Sequence, residues 1–115
     1  MNISQKNSDK KSSDPFDKLI FEKGLRIKNL VIDKELDLMI VVLNNSKVLR
    51  LNISDFPKLK KAGKNQLNDW KLENKGVAVS WESLNEDLSV KGFIKSAALN
   101  AALHTLEGNS ESAFA

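Results

Sequence analysis

The run Leu38-Met39-Ile40-Val41-Val42-Leu43 constrains this chain more than any other stretch. It is far shorter than the ~18 apolar residues of a membrane span and has the length of a buried strand. Side chains alternate across a strand, and Leu36 to Leu43 is apolar on both faces apart from Asp37. Such a strand belongs in the centre of a sheet. Asn44-Asn45-Ser46 follows it, and Asn tolerates the positive φ of a hairpin turn. The next strand, Lys47 to Ile53, puts Leu49, Leu51 and Ile53 on one face, with Lys47, Arg50 and Asn52 largely on the other. Upstream, Leu25 to Asp33 sets Leu25, Ile27 and Val31 against Arg26, Lys28 and Leu30, and Asp33-Lys34-Glu35 makes the first turn. A three-strand antiparallel meander is the simplest arrangement.

Ser54-Asp55-Phe56-Pro57 reads as a helix entry, with Ser or Asp as the cap and Pro in the first turn. The helix is expected from about Phe56 to Trp70. Phe56, Leu59, Gly63, Leu67 and Trp70 form its buried stripe, and Lys58, Lys61, Lys64 and Asn65 face away. After Asn74-Lys75-Gly76 comes a further strand in which Val77, Val79 and Trp81 point one way, with Trp81 closing the core. Asn85-Glu86-Asp87 is expected to turn out to solvent as an acidic loop, and Ser89 to cap a helix opening at Val90. That last helix is expected to reach Leu106 and to end at Gly108. Val90, Phe93, Ile94, Ala97 and Ala101 fall on one of its faces; Leu99, Leu103 and Leu106 fall opposite, flanked by Ala98 and Ala102. Two outcomes fit this pattern. Either the second half offers a leucine seam to another copy or to an unlike partner, or the helix breaks near Ser96 and folds back on its own domain.

The fold class read from these elements is α+β: a small antiparallel sheet, made of the meander and a further strand, against a central helix, with a C-terminal helix. At 115 residues the chain suffices for one domain. Residues 1–20 form a polar arm expected to be disordered or loosely attached, with Phe16, Leu19, Ile20 and Phe21 available for a short turn that lets the arm touch the domain; residues 21–96 form the packed domain, and residues 97–115 the last helix and a frayed tail. The polar start is no secretory signal, no apolar run suggests a membrane contact, and the absence of cysteine points to the cytoplasm. The net charge of +3 is mild, but Lys58, Lys60, Lys61, Lys64, Lys71 and Lys75 cluster in sequence against only Asp69 and Glu73. They are the candidate phosphate contacts if the chain binds nucleic acid.

Catalytic patterns are missing. His104 is the single histidine and lies on the apolar-rich last helix without a cluster of carboxylates, so neither a nucleophilic triad nor a zinc site is expected around it. Glu82, Glu86 and Asp87 lack the calcium-loop spacing and read as a solvated or partner-binding patch. The expectation is a non-enzymatic protein without cofactor or metal.

The stretch from about Leu25 to Ser96 resembles the bacterial family called domain of unknown function 2442. The resemblance rests on the meander, then Phe56-Pro57-Lys58-Leu59-Lys60-Lys61-Ala62, then Gly76-Val77-Ala78-Val79-Ser80-Trp81-Glu82-Ser83-Leu84-Asn85-Glu86-Asp87-Leu88-Ser89-Val90. Two features depart from the family pattern. An Asp-Gly-like turn is Asn44-Asn45-Ser46 here, and the first acid of the acidic motif is Asn85. The resemblance implies an α+β fold without established catalytic residues. Some family members carry a helix-turn-helix domain, for which no room is expected after Val90. Others look like partners of a small protein of domain of unknown function 4160, similar to a toxin–antitoxin pair. The function this implies is an antitoxin-like interaction domain with a small toxin-like partner. Leu99, Leu103, Leu106, Glu82, Glu86 and Asp87 are its candidate contacts, and a homodimer through the last helix is a further possibility. The alternative is a nucleic-acid-binding regulator using the lysines named above.

Overall fold

Strands β1 (Ile27–Asp33), β2 (Leu38–Leu43) and β3 (Val48–Asn52) form an antiparallel sheet in that order in the computed structural model, which describes residues 14–114. The apolar run is its central strand, as its two-faced pattern requires. In the β2–β3 hairpin, Ser46 N donates to Leu43 O at 3.1 Å and Ser46 takes the positive φ of 73°. Asn44 and Asn45 thus sit at the centre of the turn, and the residue after them is left-handed, as in three-residue hairpin loops.

The β1 phase differs from simple alternation. Ile27 stands opposite Leu43 and Asn29 opposite Val42, so Lys28 is an extra residue. This bulge shifts the inward face by one position. Ile27 and Leu30 are buried, and Val31, expected inside, is exposed. The core face then reads in rows across the sheet: Ile27–Leu43, Leu30–Val41–Leu49 and Ile32–Met39–Leu51.

The expected central helix is two short ones, α2 (Pro57–Lys60) and α3 (Lys64–Leu67). Between them the chain straightens at Gly63 (φ −77°, ψ 166°), whose N–H donates to Gln66 Oε1 at 2.9 Å. Glycine loses about 1 kcal/mol relative to alanine in a helix interior, and the Gln66 amide offers its N–H another partner, so the helix restarts there. The stripe survives the break, because Phe56, Leu59 and Leu67 are buried and Trp70 packs partly against the core. Ser54 is not a helix cap. Its N–H and hydroxyl both donate to the Asp37 carboxylate, at 2.8 and 2.6 Å.

A second antiparallel sheet replaces the single further strand: β4 (Lys71–Glu73), β5 (Ala78–Trp81) and β6 (Glu86–Ser89), in that order. Leu72, Val79 and Leu88 align on its inner face, and Trp81 stands there opposite Glu86. Trp81 is fully buried, and its Nε1 donates to Leu67 O at 2.9 Å, tying this sheet to α3. The turn Asn74–Gly76 brings the two sheets together. Gly76 has φ 101°, and a Cβ there would fall far inside van der Waals contact with Ile27 O and 3.1 Å from Ile27 N. Only glycine fits so close to another main chain.

Helix α4 (Val90–Phe114) starts as expected, with Ser89 Oγ accepting from Gly92 N at 3.0 Å. It does not break near Ser96, and it runs past Gly108, since one glycine does not by itself end a helix. Phe93 is buried and meets Phe56 edge-on with ring centroids 5.9 Å apart.

At the other terminus, a short helix α1 (Pro15–Asp17) continues as a π-helical turn, Lys18–Glu22. It packs onto the domain with Ile20 in the core, so the packed body includes part of the expected arm. Residues 1–13 of that arm lie outside the described residues. Lys91 Nζ holds the segment by donating to Asp14 Oδ2 at 2.8 Å and Asp17 Oδ1 at 2.9 Å. The Lys91 hydrogen bond, with those from the amides of Phe16 and Asp17, holds the Asp14 carboxyl below the usual range against a smaller opposing effect of burial. Its bonds to Asp14 and then Asp17 raise the Lys91 ammonium. Among the described residues no helix is long and apolar enough to cross a membrane.

Candidate partner-binding surface

A helix turns 100° per residue, so Leu99, Leu103 and Leu106 stand within about 60° of one another on α4. Phe93, Val90 and Ala97 point the opposite way into the domain. The first half of α4 satisfies that inner face, with Val90 and Phe93 buried and Ile94 and Ala97 packed against the core. The second half has left the body: residues 101–107 are all exposed. The seam is therefore open, with Leu99 61%, Leu103 46% and Leu106 62% exposed, flanked by exposed Ala98 and Ala102. Isolated exposed leucines are ordinary on a protein surface; three in register on one helix face form a contiguous apolar stripe.

Between the inner side of this outer half and β3 lies a groove of about 740 Å³. Val48, Arg50 and Asn52 line one wall, and Ala97, Ala101 and His104 the other. Asn100 Nδ2 donates to Asp55 Oδ2 at 2.8 Å near its inner end. Leu103 borders the groove, whereas Leu99 and Leu106 do not. The sequence reading missed Val48. Its signal was a valine sharing a strand face with Arg50 and Asn52, and it is 56% exposed.

The acidic residues do converge, but not as one loop. Glu82 belongs to a 3₁₀ turn, Glu82–Leu84, and Asn85 takes the left-handed conformation that reverses the chain. Glu86 and Asp87 then open β6, where pairing with Trp81 and Ser80 makes the expected excursion into solvent a strand. All three acids border a shallow hollow that also holds Lys71, Glu73 and Ser80. Ser80 Oγ donates to Glu73 Oε2 at 2.7 Å there, and Lys71 stands 4.0 Å from the same carboxylate. Among the described residues no group of three His, Cys, Asp or Glu side chains is arranged to hold a metal ion.

The lysines do not share one helix face. Lys58 and Lys60 lie on α2, Lys61 in the turn after it, Lys64 on α3, Lys71 on β4 and Lys75 in the tight turn before β5. All six are exposed. Lys58 Nζ donates to Asn85 O at 2.8 Å, and Lys71 sits in the acidic hollow. His104 is exposed on the groove wall.

Comparison with known proteins gives a family and a fold. A family model described as "Protein of unknown function (DUF2442)" matches residues 27–98. No curated protein matches the chain in sequence. The crystal structure of a protein of unknown function from Rhodospirillum rubrum ATCC 11170 is similar, with TM-score 0.56 and 25% identity, covering 62% of this chain and 86% of that one. The solution NMR structure of uncharacterized protein CV0863 from Chromobacterium violaceum has TM-score 0.60 and 18% identity, covers 84% of each chain, and shares the fold. The family match ends at residue 98, just before Leu99, so the open seam lies beyond the matched region.

Proposed function

The chain belongs to the family of proteins of unknown function DUF2442, and on that footing we propose that it is a non-enzymatic protein-interaction domain which docks a partner on the outer half of α4. One observation carries the reading: Leu99, Leu103 and Leu106 are exposed in register on the face opposite the helix's packed side. An amphipathic helix face of this kind is recognised by laying it in an apolar groove, with anchors at spacings of three and four. In its more specific form, the domain is the antitoxin-like half of a cytoplasmic two-protein module, and α4 covers the working surface of a small toxin-like partner. The hollow with Glu82, Glu86 and Asp87 is a secondary contact suited to a basic protein.

Co-expression with the protein encoded beside it tests this. The reading expects a stable complex, relief of any growth inhibition by the neighbour, and loss of both in a Leu99→Glu/Leu106→Glu double variant that stays folded. Complex formation unaffected by the double variant refutes the seam as the docking face. The nucleic-acid alternative draws on the exposure of Lys60, Lys61, Lys64 and Lys75. It requires binding that weakens steeply with salt, so an absent or salt-insensitive gel shift removes it.

A further inference from the structure

The outer edge of β3 is open, and two hydrogen bonds fix its phase. Leu43 N donates to Lys47 O at 2.9 Å at the hairpin end, and Ile53 N donates to Asp37 O at 3.3 Å at the other end. Bonded and non-bonded pairs alternate along an antiparallel ladder. The odd-numbered residues of β3 therefore turn their main chain to β2, and Val48, Arg50 and Asn52 turn theirs outward. Among the described residues no main-chain hydrogen bond from outside the sheet reaches Val48 or Arg50, whereas Asn52 caps the 3₁₀ turn Ile53–Asp55. The opposite edge differs, because the Asn74–Gly76 turn lies against Ile27 there. Beside the open edge runs the groove, its far wall lined by the small side chains of Ala97 and Ala101.

We propose that this groove receives an extended segment of a partner protein, which adds to β3 as a fourth strand and sets an acidic side chain against Arg50. The edge itself selects the occupant's backbone. Outward N–H and C=O groups at alternate residues are matched only by another extended chain, which is how strand addition supplies affinity. The groove volume of about 740 Å³ is that of a ligand-sized site. A second copy of this chain is a poorer occupant, because its β3 edge would arrive with its own α4 alongside. Charge selects the side chain. Lys47 and Arg50 are exposed and have no ion-pair partner among the described residues; Glu107 and His104 line the groove without pairing to Arg50. Val48, Ala97 and Leu103 are positioned for apolar side chains at alternate positions of the added strand.

The site shares Leu103 with the leucine seam but not Leu99 or Leu106, and it does not rest on the seam. The test is an amide-resolved NMR titration of the full chain with three acetylated, amidated peptides. They are Thr-Val-Thr-Glu-Val-Thr, its lysine-centred counterpart, and the glutamate peptide N-methylated at alternate amides. The glutamate peptide is expected to shift the Val48, Arg50 and Asn52 amides with Kd below about 1 mM, and N-methylation to abolish the shifts. Arg50→Glu is expected to weaken that peptide about tenfold and to give the lysine peptide the tighter binding. The Leu99→Glu/Leu106→Glu variant is expected to bind the peptide as the wild type does, which keeps this outcome apart from that of the seam. No saturable shift with the wild type, equal binding of the N-methylated peptide, or shifts centred on Leu99 and Leu106 overturns the proposal. The N-methyl comparison uses wild-type protein, so it decides the matter even if Arg50→Glu fails to fold.

Discussion

Replacing Gly76 by alanine, with Gly24→Ala as its control, measures how tightly the two sheets are joined. Both glycines have positive φ, 75° at Gly24 and 101° at Gly76, but only at Gly76 does an added Cβ meet other atoms. A left-handed conformation costs a residue with a Cβ about 1–2 kcal/mol. The narrower unfolded ensemble of alanine offsets about 0.4–1 kcal/mol of this, so Gly24→Ala should destabilise by about 1 kcal/mol. Gly76→Ala bears the same strain, and its Cβ presses on the Ile27 carbonyl, a main-chain atom that no rotamer change can move away. Overpacking of that kind adds about 1–3 kcal/mol, for a total of about 2–4 kcal/mol. Thermal unfolding followed by circular dichroism should then show a fall in Tm of about 4–8 °C for Gly24→Ala and two to four times as much for Gly76→Ala. Coincident melting curves would refute the close approach of the Asn74–Gly76 turn to β1, and with it the argument that this contact fixes one sheet against the other.

Three further outcomes follow from other parts of the molecule. Trp81→Ala empties the largest fully buried site and orphans the Leu67 carbonyl, so it should cost about 3–5 kcal/mol in urea unfolding, enough to unfold a marginal domain; a variant that melts with the wild type contradicts the burial. Glu86→Ala/Asp87→Ala should change stability by less than about 1 kcal/mol, since Asp87 is exposed and Glu86 only half-buried, and a metal-dependent rise in Tm that the double variant abolishes would reverse the non-catalytic reading. For Lys91→Ala, the Tm difference from wild type should be constant between about pH 5 and pH 9. The lowered Asp14 carboxyl contributes fully above its unfolded value and loses its contribution as pH falls through the still lower folded value. The raised Lys91 ammonium contributes fully below its unfolded value and loses its contribution as pH rises through the higher folded one. A difference that peaks near neutrality instead would point to another group.

The parts of the fold legible in the sequence are those written in a local period. Two-faced apolarity placed β2 at the centre of its sheet, Val79 and Trp81 announced an inward face, and Ser89 announced the start of α4. The seam was visible because its leucines stand opposite the residues that meet the core. What escaped depended on contacts or on competition between partners. The bulge at Lys28 adds one residue to a pattern that alternation alone takes as continuous. The helix restart at Gly63 depends on Gln66 reaching back to its amide. Lys71-Leu72-Glu73 is too short to declare a strand without β5 beside it. The bonds from Lys91 to Asp14 and Asp17 span more than seventy residues, a separation over which no periodic signal operates.

The docked segment Pro15–Glu22 also sets a hierarchy of opening rates. Ile20 is its one fully buried side chain, and besides the Lys91 bonds it is held by Arg26 Nη1, which donates to Ile20 O at 2.6 Å. Lifting it away breaks neither sheet, so it behaves as a small cooperative unit whose release needs less free energy than unfolding of the whole domain. The Leu25 amide, bonded to Leu19 O at 2.9 Å, reports on that unit. Its hydrogen exchange follows the detachment equilibrium, while the amides of β2 exchange only when the entire domain opens. Hydrogen exchange is thus expected to resolve two lifetimes, a short one for the latch on its flank and a long one for the paired sheets beneath it.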